Sequence, residues 1–105
     1  MTVEEIVERG GEADDVLRAV VRALHHDGAG WVGIAFVEGG RLELGPSSGG
    51  EQPAELDRHP VEWHGARVAE LQAAGTRADR LAQVAALIAP YCLVGWDTRG
   101  EAWSP

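Results

Sequence analysis

The chain has a single cysteine, Cys92. That excludes an internal disulfide and a cysteine-built zinc cluster. No apolar run approaches the length of a bilayer span, so membrane insertion is not expected. Positive charge is scarce: nine basic residues stand against 17 acidic ones, a formal charge of −8. No basic stripe gathers anywhere, and the net sign repels a phosphate backbone, which argues against binding DNA or RNA. The opening "MTVEEIVERG" lacks the basic and apolar regions of a signal peptide. Internal repeats and low-complexity linkers are missing too. These absences lead to the expectation of a cytoplasmic protein.

What remains is the composition of one small globular domain spanning residues 1–105, with 45% apolar residues. A core of that size leaves much of the surface wet, and a second copy would add burial. Thr2 followed by Glu5 forms a capping box at the head of a short helical turn, which Gly10-Gly11 interrupts. "EADDVLRAVVRALHHDG" predicts a longer helix. Val16, Leu17, Val20, Val21 and Leu24 recur on one face, the acidic and histidine ends suit the dipole, and Gly28 provides the stop. "TRADRLAQVAALIAPYCLVG" predicts a closing helix opened by Thr76 and Asp79. Its buried stripe is Leu81, Val84, Ala85, Ile88, Tyr91 and Cys92, and Pro90 should kink or stop it.

Between these helices lie two hairpins. In "WVGIAFV" both faces are apolar, which suggests a strand covered on both sides. Gly39-Gly40 supplies the turn, and "RLELG" returns with Leu42 and Leu44 expected inward and Arg41 and Glu43 outward. Residues 46–59 read as a loop rich in Gly, Ser and Pro. In "PVEWHGARVAELQAAG", Val61 and Trp63 alternate with Glu62 and His64, and His64-Gly65 begins a second turn. The return over residues 67–73 is read as a strand, although its helix propensity keeps a helix open. The expected fold is α+β: an antiparallel sheet of about four strands, with N- and C-terminal helices on one face.

This order and several local phrases resemble a GAF domain, particularly the small bacterial ones related to free methionine sulfoxide reductase. "GWVGIAFVEGGRLELGP" resembles that family's first hairpin, "HPVEWHGARVAELQAAG" its last, and "TRADRLAQVAALIA" its closing helix. A full GAF domain has a long middle section between the hairpins that walls the ligand pocket. Here residues 46–59 replace it, so the chain resembles a minimal GAF scaffold without its lid. The resemblance implies a regulatory, signalling role and a homodimer in which the first and last helices pair. Val16, Val20, Leu24, Val84 and Ile88 would divide between sheet and dimer contacts.

The reductase relatives need a second thiol to resolve the first. Cys92 stands alone on an apolar helix side, which makes it a core residue and the chain no enzyme. His25, His26, Asp27, His59, Glu62 and His64 have ligand chemistry, but adjacent helical residues point about 100° apart and two strand residues do not close a site. Neither a metal nor another cofactor is therefore expected. "GPSSGG" lacks the Lys-Ser/Thr ending of a phosphate loop and reads as a connection. Of the four tryptophans, Trp63 is expected on a sheet face, Trp96 over the core, and Trp103 over the core or against a partner. The leading expectation is a non-enzymatic regulatory or protein-interaction module acting as a homodimer. The alternative is a small-molecule sensor for a metabolite, with Ser47, Ser48, Trp63 and His64 lining a reduced pocket under the 46–59 loop.

Overall fold

A computed structural model describes residues 1–96, with side chains as far as Cys92. The expectations for Trp103 and for the Trp96 side chain lie outside the described residues. The elements are α1 (Val3–Arg9), α2 (Ala13–His26), β1 (Trp31–Glu38), β2 (Arg41–Ser48), β3 (Asp57–Trp63), β4 (Ala66–Ala74) and α3 (Ala78–Trp96). The strands form one antiparallel sheet in the order β2-β1-β4-β3. The fold is therefore α+β, as expected, with the helices layered on one face. Residues 66–74 are strand and not helix. No helix of the described residues is long and apolar enough to cross a membrane.

The local chemistry explains the boundaries. Thr2 and Glu5 make both capping-box bonds, at 3.1 and 2.8 Å. Gly39 and Gly40 both take positive φ, 58° and 79°, as a two-residue turn matched to strand twist requires. Helix α3 begins at Ala78, and the Arg77 carbonyl accepts from the Leu81 N–H, so Arg77 and not Thr76 stands at its boundary. Nor does Pro90 end α3, which continues to Trp96. Pro90 releases only the Ala86 carbonyl. Both residues are exposed, so water can take that carbonyl while buried Ile88, Ala89 and Cys92 hold the helix on either side.

The core lies between helices and sheet. Val16, Leu17, Val20, Val21 and Leu24 of α2 and Leu81, Val84, Ala85, Ile88, Ala89 and Cys92 of α3 meet Val32, Ile34 and Phe36 of β1, Ala69, Leu71 and Ala73 of β4, and Val61 of β3. Helix α1 adds Val3 and Ile6. It is tied to α3 by a two-pronged Glu4–Arg80 pair at 2.6 and 3.1 Å and by the Tyr91 hydroxyl donating to the Val7 carbonyl at 3.1 Å.

Two expectations about the strands change. The hairpin return continues past "RLELG" to Ser48, because a bulge at Gly45 and Pro46 lets pairing resume, with Ser47 opposite Gly33 and Ser48 opposite Val32. The connection between the hairpins thus shrinks to residues 49–56. Leu42 and Leu44 do not point inward. They pair with Val37 and Ala35, on the face away from the helices, and remain 40% and 47% exposed. Their alternation places them on a common face, but the helices cover the opposite one.

Candidate functional site: the helix-free face of the sheet

The face that carries no helix among the described residues has three zones. At one end sits Trp31, the largest of the fully buried side chains, yet outside the main core. Its ring lies over Gly33: a Cβ there would come within 2.3 Å of the indole. The ring N–H donates to the Gly50 carbonyl at 3.1 Å, so the start of the 49–56 segment forms a roof at the tryptophan. The expectation that β1 is covered on both sides is met at this end of the strand, whereas Val37 at the other end is exposed.

Beside Trp31 runs a polar strip. Gln72 pairs with Gly33, and Glu70 with Ala35, which puts both on the helix-free face, 4% and 8% exposed. Gln72 donates to Glu70 at 2.8 Å, Gln52 donates to the Gln72 side-chain Oε1 at 3.1 Å, and Arg58 lies 3.6 Å from Glu70. Buried polar groups are stable only when partnered. Among the described residues no buried side-chain donor or acceptor lacks a partner. Sequence reading missed this network, although the two-residue spacing of Glu70 and Gln72 in "ELQ" signals a shared strand face.

The third zone is apolar and open. Val37, Leu42 and Leu44 are exposed around Ala35, beside the outer edge of β2. Near the base of the roof, Ala54, Glu55, Leu56, Asp57, Arg58, Ala74 and Gly75 line a depression wide open to solvent.

The residues expected to line a pocket are not brought together. Ser47 and Ser48 lie on the β2 edge beside the start of β1. Trp63 and His64 lie on the β3 edge at the opposite end, where Trp63 pairs with Ala66 and His64 enters the turn at φ 54°. Trp63 packs on the core, with its ring centroid 4.7 Å from that of His64. The five residues expected to share dimer contacts, Val16, Val20, Leu24, Val84 and Ile88, are each 3% exposed or less in the single chain. Intrachain packing has consumed them, because the most apolar stripe of each helix is the one the sheet covers first.

His25 and His59 turn their Nδ1 to carbonyls, Ala29 at 2.8 Å and Pro60 at 2.9 Å. Among the described residues no three His, Cys, Asp or Glu side chains gather as a metal-binding set. Cys92 is buried, and burial pushes its thiol up to about 12. Comparison of the chain with protein-family models, with curated proteins and with solved structures gives no match.

Proposed function

We propose that this chain is a non-enzymatic, GAF-like regulatory or interaction module that works as a homodimer. The observation that carries the reading is the open apolar zone: Val37, Leu42 and Leu44 exposed together on a sheet face that no helix covers among the described residues. Exposed apolar side chains gathered beside a free strand edge suit contact with another chain. A catalytic role finds little support. The one thiol is protonated at neutral pH, and a thiolate is the reactive form. The sensor alternative has less support, because Ser47 and Ser48 lie at the other end of the sheet from Trp63 and His64.

Sedimentation equilibrium at micromolar concentration tests the reading. Twice the chain mass is expected, and a clean monomer would sink it. No methionine sulfoxide turnover is expected in the same preparation.

A further inference from the structure

Resting on the homodimeric reading, we propose that the second copy docks through the outer edge of β2, antiparallel, with Leu42 facing Leu42 of the second copy. The two outer strands of the sheet differ in their fitness for this. Pro60 lies in the middle of β3, opposite Glu70, and removes a donor from that strand's open edge. Strand β2 has its proline at Pro46, within the bulge. That leaves residues 41–44 as a regular open edge. After the two-residue turn, Arg41 and Glu43 direct their backbone groups toward β1, and Leu42 and Leu44 direct theirs outward. An unpaired edge of this kind is a template for another strand.

Charge fixes the register. With Leu42 on Leu42, Arg41 of each copy stands opposite Glu43 of the other, as an isologous contact demands. Shifting the axis to residue 43 would set Glu43 against Glu43. Arg41 and Glu43 are 78% and 47% exposed along their side chains and meet each other at 3.1 Å within one chain. They can therefore close a four-charge ring across the axis. Opposed residues share a face, so both helix layers fall on one side of a continuous eight-stranded sheet. Leu42 and Leu44 of the two copies adjoin on the other. Four strand residues per copy make a small interface, which fits micromolar association.

The charges supply the test. Arg41→Glu and Glu43→Arg, each shown to fold by circular dichroism, should each raise the dimer dissociation constant about tenfold or more, because like charges then face each other twice. Mixing the two variants should restore the dimer as a heterodimer. The two substituted positions then face each other across the axis with opposite charge, and the retained Arg41 of one copy meets the retained Glu43 of the other. The double variant R41E/E43R should dimerise like the unaltered chain. Single variants that remain dimers would overturn the edge proposal while leaving a homodimer intact. A mixture that stays monomeric would overturn the register. A monomeric unaltered chain would overturn both this proposal and the reading on which it rests.

Discussion

Gly33 gives its side-chain space to Trp31. The ring sits where a Cβ would be, within 2.3 Å, and its N–H is anchored on Gly50. A methyl at position 33 must therefore lift the indole or bend the strand. Gly33→Ala should cost about 1–3 kcal/mol in thermal or chemical unfolding, the usual range for overpacking. The cost should shrink in a Trp31→Phe background, whose smaller ring vacates the contact; a double-mutant cycle measures that coupling. Cys92 makes a different statement at this scale. Burial holds its proton on to about pH 12, whereas an unperturbed thiol loses it near 9.0. The folded form thus binds a proton that the unfolded form has released. Stability from this group is complete below about pH 9 and is lost as pH rises toward 12. The stability of the wild-type chain minus that of Cys92→Ala, followed by denaturant titration, should fall across that window and stay flat below it.

Helix α1 has seven residues, too few to stand alone in water. Its order is borrowed from α3 through Glu4–Arg80 and Tyr91–Val7 and from the burial of Val3 and Ile6. The Arg80 hydrogen bond first, and its charge to a lesser degree, hold the Glu4 carboxyl below its ordinary range. Support from this pair is present above about pH 4.5 and is lost as pH falls through the lowered value. Both side chains are substantially solvated, so Arg80→Ala should cost no more than about 1 kcal/mol globally. Amide exchange in α1 should nonetheless quicken, more so in Arg80→Ala/Tyr91→Phe, while exchange in β1 and β4 is unchanged. An equal acceleration in β1 would mean that α1 is part of the global unfolding unit. At this scale much is legible in the sequence. The five apolar residues of α2 lie on the buried face that their spacing indicates, and both turn pairs, Gly39-Gly40 and His64-Gly65, turn the chain where their residue types say they should. The exit of the first hairpin is not legible, because Gly and Pro that normally end a strand here form a bulge inside one.

For the whole molecule, the difficulty lies in deciding which side of each face is covered. Alternation groups Leu42 with Leu44 and Glu70 with Gln72, but periodicity carries no information about where a helix comes to rest. Alternation alone therefore puts Leu42 and Leu44 inward, whereas the fold turns them outward. Helix stripes point to α2 and α3 for a dimer contact, yet the large apolar side chains still exposed after folding lie, Met1 apart, on β1 and β2 among the described residues. The order β2-β1-β4-β3 has a further consequence, measured in time. The central pair joins Phe36 to Ala69 and Trp31 to Ala74, so β1 must wait for a partner from much later in the chain. At roughly 5–20 residues per second, translation takes on the order of seconds to cover that stretch. Until β4 emerges, β1 and β2 can form only a two-stranded ribbon, marginal in water, with the side of β1 that β4 later takes still open. During those seconds the nascent chain offers the edge of β1 to any strand nearby, and the ribosome-bound chain is at its most adhesive just before its last hairpin appears.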